Sequence, residues 1–462
     1  MKTKFFFLAC LFVCARMVFA QQSIYSNWAI GNGGGLKFQN NLVTQFQSQM
    51  SCQDIGSTIS DVAGNLLFYC NGTTVYNKNH NVMANGTGLL GDITGGHAAL
   101  ILEQPESHFY YIFTMDKYAD NDGLRYHIVD MSANGGLGQV ITKNMVLLNP
   151  ASEKIAAVWN SAQNCYKIIT HKFGNDEFHV FELNGLGLNT TPVISAIGPH
   201  HQQGVYGQSH DALGQIAISP NGQKVALALC YSQIFQVYNF DINTGVLSNP
   251  ITIGNYPFAW GIEFSPNSQY IYFTQWTMHE VFQADISSGD SATIDNSITS
   301  IGNISGGGQY SVGYLSRTPD NRIFIAKYGY YSLATISHPD LPGAACNFDE
   351  EGLTLQYGSS TAGLSSSAVF PSNSNSVFEH DNHLVKLYPN PTNGILTIAK
   401  TNTYTAQEMN IFDKEGSIVF STKLNMLAPN ETFHLELNPG MYHVKFTHPK
   451  NEVYHQKLIV IK

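Results

Sequence analysis

The chain has 462 residues, of which 12% are charged and 43% hydrophobic, with a formal net charge of -10. Low charge combined with 24 Tyr, 27 Phe and 41 Gly excludes a disordered chain and points to β-structure. The acidic balance argues against nucleic acid or an anionic membrane as a partner.

Lys2 and Lys4 precede an apolar run from Phe5 to Val13, and Val18-Phe19-Ala20 forms a small-x-small site before Gln21. This predicts a secretory signal peptide over residues 1–20. A lipoprotein would need a Cys after a lipobox. Cys10 comes too early, and Cys14 follows the bulky pair Phe12-Val13. Loss of Lys2, Lys4 and Arg16 takes the net charge from -10 to about -13. No later run reaches the roughly 18 apolar residues of a membrane helix, so no membrane span is expected. Five cysteines follow the signal: Cys52, Cys70, Cys165, Cys230 and Cys346. None forms a CxxC pair, so thiolate metal binding is not expected. One disulfide, with Cys52 and Cys70 the nearest pair, stands beside the alternative of buried free thiols.

From about Cys52 to Gln356 the chain repeats. Turn clusters at Asp61–Asn65, Gln104–Ser107, Asn160–Asn164, Ser219–Gly222, Ser265–Ser268 and Thr318–Asn321 recur roughly every 40–60 residues. Each is followed by a β-prone run, such as Tyr270-Ile271-Tyr272-Phe273. No helical window of useful length stands out. Four short strands per repeat predict a β-propeller, because radial stacking covers both apolar faces of each sheet. The phrase Phe264-Ser265-Pro266-Asn267-Ser268-Gln269-Tyr270-Ile271-Tyr272 looks like the inner-hairpin motif of WD-like and lactonase-like propellers. Six internal blades leave Tyr25–Gln47 and Gly363–Pro371 over. Pairing these two segments predicts a seventh, ring-sealing blade, with six or eight blades as alternatives. The fold class expected for residues 21–371 is therefore an all-β, seven-bladed β-propeller.

Candidate chemistry is sparse. Rough alignment places Thr58, Leu102, Val158, Ala217, Glu263 and Ser316 toward the central channel, and Glu263 is the one carboxylate among them. His97, His171 and His210 lie at strand ends and converge on the channel mouth if the ring closes. These three with Glu263 are the candidate binding residues; catalytic residues are not identified. No HxH or HExxH spacing and no GxSxG elbow occurs. Asp116, Asp120 and Asp122 suggest a calcium loop, but the terminal Glu is missing. Gly33–Gly35 and Gly306–Gly308 precede no helix, so phosphate cradles are not expected. Asp290-Ser291-Ala292 matches a short bacterial O-glycosylation pattern that an exposed loop serine equally explains. No metal and no cofactor is expected.

Residues 372–385 are Ser/Asn-rich and read as a linker. Beyond it, turn signals at Pro389–Gly394, Asp413–Gly416 and Asn438–Gly440 separate short β-prone runs, which suggests a small Ig-like β-sandwich. Lys386-Leu387-Tyr388-Pro389-Asn390-Pro391-Thr392-Asn393-Gly394, Gly416, Pro439-Gly440-Met441-Tyr442-His443-Val444-Lys445 and the terminal Lys457–Lys462 occur in order. Together they resemble the type A C-terminal sorting domain of the type IX secretion system. The resemblance covers 386–462 and implies passage across the periplasm and outer membrane, with the secretion machinery as partner. The stretches Gly31–Phe38, Asn85–Gly91 and Gly343–Phe348 further resemble secreted propeller proteins that carry such domains.

Two function classes follow. One is a secreted or surface-held binding protein for a glycan or protein, using aromatics such as Trp276, Tyr328, Tyr330 and Tyr331 where they are exposed, although most of these are expected to pack between blades. The alternative is an extracellular hydrolase, lyase or lactonase acting on a sugar-derived substrate at the channel. Binding is the favoured reading, since no catalytic pair is visible.

Overall fold

The computed structural model describes residues 24–39, 42–203, 210–305 and 312–371, then 385–388, 392–400, 408–413, 417–424, 430–447 and 453–461. The expected signal peptide, most of the linker, and Pro389, Asn390, Pro391 and Gly416 lie outside these residues. Chain contacts divide the molecule into two units, 1–372 and 373–462.

The first unit is all-β, built from repeated antiparallel meanders. It opens with a three-stranded sheet: β1 (Asn27–Ile30), β2 (Gly34–Gln39) and β3 (Leu42–Gln45). Next come β4 (Gly56–Ser60), β5 (Leu66–Cys70), β6 (Thr74–Asn77) and β7 (Val82–Thr87). They are followed by β8 (Ala99–Glu103), β9 (Phe109–Met115), β10 (Leu124–Asp130) and β11 (Gln139–Leu148). A single parallel pair, Ala84 with Gln139, joins these two meanders edge to edge. Four separate four-stranded sheets complete the series. They are β12 (Ala151–Asn160), β13 (Cys165–Lys172), β14 (Glu177–Asn184) and β15 (Gly187–Ala196); then β16 (Ile216–Ile218), β17 (Lys224–Leu229), β18 (Ile234–Asp241) and β19 (Val246–Ile253). The last two are β20 (Ala259–Phe264), β21 (Tyr270–Gln275), β22 (Glu280–Asp285) and β23 (Thr299–Asn303); and β24 (Val312–Arg317), β25 (Ile323–Lys327), β26 (Ser332–Ile336) and β27 (Phe348–Thr354).

Local chemistry explains the repeat. In the turns at Ser219 and Ser265 the serine Oγ donates to the side chain of Asn221 or Asn267, at 2.7 and 2.6 Å. The same Oγ accepts from the main chain that starts the next strand, Lys224 N or Tyr270 N. A short helix, α1 (Ser291–Ser297), was not foreseen. Asp290 caps it by accepting from Thr293 N, and Ile294 anchors it in the core.

Apolar clusters knit each sheet to the next. Phe178 meets Tyr238 at 4.9 Å between the β12–β15 and β16–β19 sheets, and Phe235 meets Phe273 at 4.7 Å one sheet further on. The three-stranded sheet packs against the β24–β27 sheet as well, through Trp28 and Phe38 against Phe324 at 6.3 and 5.9 Å. The unit is a β-propeller in which successive meanders pack face to face.

The expected seal between Tyr25–Gln47 and Gly363–Pro371 is corrected. The N-terminal segment forms its own sheet and shares no strand pairing with residues 363–371; its one isolated bridge to the late chain among the described residues is Asn32 with Ser359. Residues 361–371 instead thread along the inner strands. Tyr314 N donates to Ala362 O (2.7 Å), and β28 (Ser365–Ser366) runs parallel to Gly56 and Ser57 of β4. Ser366 Oγ donates to Ala99 O of β8 (2.6 Å), and Val369 N donates to Ala157 O of β12 (2.8 Å). Phe370 then packs on Tyr25, Trp159 and Tyr166. Extended chains are easily recognised, but the partner of an extended chain is set by distant geometry. All five described cysteines are free and buried, so the Cys52–Cys70 bridge is not formed.

The second unit holds two sheets. One is β29 (Val385–Tyr388), β30 (Ile395–Lys400) and β33 (Asn430–His434); the other is β31 (Glu408–Phe412), β32 (Ile418–Lys423), β34 (Gly440–Thr447) and β35 (Val453–Val460). Leu396, Ile398, Met409, Ile411, Val444, Phe446 and Leu458 form its core. Of the sorting-motif residues, Tyr388 lies in β29 and Gly394 takes φ 106 in the turn before β30. Pro439 and Gly440 lead into β34, where Tyr442 Oη donates to Asn438 O (2.8 Å), and Lys445 sits on the same strand.

Candidate functional site at the channel mouth

The inner strands share a device. Register breaks between Ala151 and Ile155 in β12, between Ala259 and Ile262 in β20, and between Val312 and Leu315 in β24. Such irregularities re-aim side chains. The residues inside these gaps include Glu153, Lys154, Trp260 and Tyr314, all at the starting end of the inner strands. Gly261 and Gly313 are required there. A Cβ on Gly313 would lie 2.2 Å from Ala362 O, and one on Gly261 would lie 2.5 Å from the Leu315 side chain.

A chain of aromatic rings runs from the surface to the buried core at this end. Tyr328, 42% exposed, meets Trp276 at 6.3 Å and 71°. Trp276 packs on Trp260 at 4.3 Å, and Trp260 stacks on Tyr314 at 4.8 Å and 15°. Tyr314 approaches His97 at 6.4 Å. Trp260 Nε1 and Tyr314 Oη are buried without a hydrogen-bond partner among the described residues. Of the aromatics named from sequence, Tyr331 is 70% exposed on the loop after β25, while Trp276 and Tyr330 are half-buried.

Glu153 organises the mouth. It is fully buried, and its two oxygens accept from Gly96 N (2.5 Å) and from Tyr118 N. Tyr118 has φ 51, a left-handed conformation that this contact helps to hold. Burial pushes the Glu153 carboxyl up to about 7, and burial beside Glu153 and Asp92 raises that of Asp54 well above the usual range. The ammonium of Lys154 is buried too and donates to the carbonyls of Asp211, Ala212 and Leu213 at 2.9, 2.8 and 2.6 Å. Burial lowers it to about 8.

The four residues expected to converge do so in part. His97 and Glu263 line one small cavity in the channel, of about 60 Å³, together with Gln215, Ser316, Arg317 and Ser365. That is room for a few waters, and Ser365 Oγ and Arg317 Nε are otherwise unpartnered there. Glu263 accepts from Phe264 N (2.9 Å) and Arg317 N (3.2 Å), and burial raises its carboxyl. His97 donates from Nδ1 to Glu153 O (3.2 Å), and burial lowers it to about 4. His171 is elsewhere, fully buried and stacked on His201 at 3.3 Å. His210 begins the short 3-10 turn His210–Ala212, and its side chain lies outside the described residues. Ala217 and Ser316 line the cavity as aligned, whereas β8 contributes Leu100 rather than Leu102. Asp116 caps its own loop, accepting from Lys117 N and Asp122 N. Among the described residues no three His, Cys, Asp or Glu side chains gather as a metal site. Asp54, Glu153, Trp260 and Tyr314 were missed from sequence. The charged pair Glu153-Lys154 inside an apolar strand was the available signal.

Residues 386–462 match the family model described as a secretion system C-terminal sorting domain. This segment is a type IX sorting domain, and it marks the protein for export to the cell surface or beyond. No curated protein matches the chain. Among solved structures, a putative 6-phosphogluconolactonase from Bacteroides fragilis is similar at 11% identity and TM-score 0.39, covering 80% of this chain and 94% of its own. Kluyveromyces lactis Hsv2p is similar at 10% identity and TM-score 0.41, covering 73% and 96%. Kuenenia stuttgartiensis hydrazine synthase is similar at 14% identity and TM-score 0.37, covering 60% and 72%. No helix among the described residues is long and apolar enough to cross a membrane.

Proposed function

We propose that this is an exported, seven-bladed propeller that binds a glycan or protein at the loop face carrying Trp276 and Tyr328. The three-stranded sheet is counted as the seventh blade because Trp28 packs it onto Phe324 of the last four-stranded one. Replacing Trp28, 1% exposed, by Ala is expected to cost about 3–5 kcal/mol in urea unfolding of the whole propeller. A fraying limited to the N-terminal segment would refute the seven-blade count.

The single observation carrying the binding reading is the ring chain from exposed Tyr328 to buried Tyr314. Binding sites place rigid aromatics beside polar groups in this way. The engagement of Glu153 speaks against the hydrolase alternative. Both its oxygens are held by main-chain N–H groups, so Glu153 itself is not free to reach a substrate as an acid. The test is incubation with end-labelled polysaccharides. The reading expects them back at unchanged chain length; shorter or unsaturated products would make the protein an enzyme.

Export is proposed to run through the periplasm by way of residues 386–462. Deleting them is expected to leave a folded propeller in the periplasmic fraction. Normal recovery of the truncated protein at the surface or in the medium would end that assignment.

A further inference from the structure

We propose that the corner formed by Trp276 and Tyr328 takes single chains of an uncharged, soluble polysaccharide. This rests on the binding reading above and names the ligand class. The two rings meet at 71°, so they present a corner and not a flat platform. A corner holds one pyranose on its apolar face and flanks it from the side. A crystalline polysaccharide surface would need coplanar rings instead. The corner is stiff, because Trp276 is backed by Trp260 and Trp260 by Tyr314. A rigid aromatic surface loses little entropy on binding. Phe258 and Met278, both nearly half exposed, extend the apolar rim. Phe258 O accepts from Trp276 N at 2.9 Å, which fixes it beside the corner.

Charge selects the ligand. Lys327, next to Tyr328, has its ammonium bound by Ser332 Oγ, Glu350 O and Glu351, with the Tyr330 ring 4.7 Å away. Lys117 is paired with Asp92 (2.9 Å), and Lys154 is spent on three carbonyls. These three lysines are thus already engaged and offer no fresh partner to a uronate or a sulfate, and Arg317 is buried in the channel cavity beside Glu263. The groups behind Tyr314 are the carboxyls of Asp54 and Glu153, which supply no cation either. An acidic polymer would lose water there with no counter-charge to replace it. Hydroxyl and acetal oxygens of a neutral sugar carry no such penalty.

The test uses the full exported chain in affinity electrophoresis. Gels contain xyloglucan, galactomannan, laminarin, soluble starch, alginate or polygalacturonate, and microcrystalline cellulose is used in a pull-down. At least one neutral soluble polymer is expected to retard the protein, with little change in high salt. Trp276→Ala and Tyr328→Ala should each weaken that retardation about tenfold or more, and Leu186→Ala, fully exposed on a different loop, should not. Each variant's thermal unfolding is compared first, so that a misfolded variant is not read as a binding loss. Preference for alginate or polygalacturonate would overturn the charge argument and leave the binding reading standing. Preference for cellulose, or neutral binding that survives both substitutions, would overturn the corner. Retardation by no polymer would overturn the polysaccharide assignment together with the glycan half of the binding reading.

Discussion

Lowering the pH from 7 to 5 is expected to destabilise the propeller, driven by buried histidines. Burial lowers His97 to about 4 and His127 and His171 to about 3, and holds His201 well below its ordinary value. His127 shows why. Its Nδ1 accepts from Asn144 N (3.1 Å) while Nε2 faces Thr114 Oγ1 (2.9 Å), so the neutral ring is already satisfied. A second proton would set N–H against N–H. The unfolded chain takes up protons on these rings near pH 6.5, and the folded chain does not. Stability therefore falls as pH drops below about 6.5. Glu153 and Asp54 work the other way. Their folded pKa values are raised, so the folded state holds protons there that the unfolded state has released. Glu263, Glu103, Asp116 and Asp340 are raised by burial as well and add to that opposing side, so the slope is expected to stay below the roughly 5.4 kcal/mol per pH unit that four histidine protons alone would give. Urea unfolding at several pH values measures this slope directly. His127→Gln should reduce it by about one proton, and a flat profile between pH 7 and 5 would sink the account.

What could be read from the sequence follows the range of the interaction. The Ser-Pro-Asn turns were legible because Ser219, Asn221 and Lys224 satisfy one another within a few residues. The sorting domain was legible because its motifs keep their order at the chain end. Exposure of Tyr328 and Tyr331 was only half legible: residues 328–331 form the loop between β25 and β26, but packing between blades was the stronger expectation for such aromatics. By contrast, the burial of Asp54 depends on Glu153, Asp92 and Gly363 arriving from distant parts of the chain. Periodicity cannot announce that. The register breaks in β12, β20 and β24 were hidden for a related reason. A bulge leaves the strand's apolar content intact and changes only which way Glu153, Trp260 and Tyr314 point. His171 misled because a strand end is a surface position only if nothing packs on it, and His201 does.

Ending the chain at residue 360 is expected to lower the propeller's unfolding temperature by at least about 5 °C, while ending it at 371 leaves it unchanged. For a domain of this size that shift corresponds to roughly 3–4 kcal/mol. The residues between these points bond to the inner strands β4, β8, β12 and β24 and to the segment before β4. Ala362 pairs with Gln53 and Tyr314, Ser366 with Ser57 and Ala99, and Val369 with Ala157 and Trp159. Leu364, at 1% exposure, fills the space between β1 and β25. Without the segment those inner-strand groups face an open channel, and the blades lose a common tie. A point substitution tests the same idea without shortening the chain. A Cβ on Gly363 would lie 2.2 Å from the carbonyl carbon of Asp54 and 2.4 Å from Ile55 N. Both obstacles are main chain, which cannot swing aside, so Gly363→Ala must push the segment out of the channel. Its unfolding temperature should fall toward that of the chain ending at 360. Unfolding of both variants at the wild-type temperature would mean that the segment lies in the channel without holding the ring together.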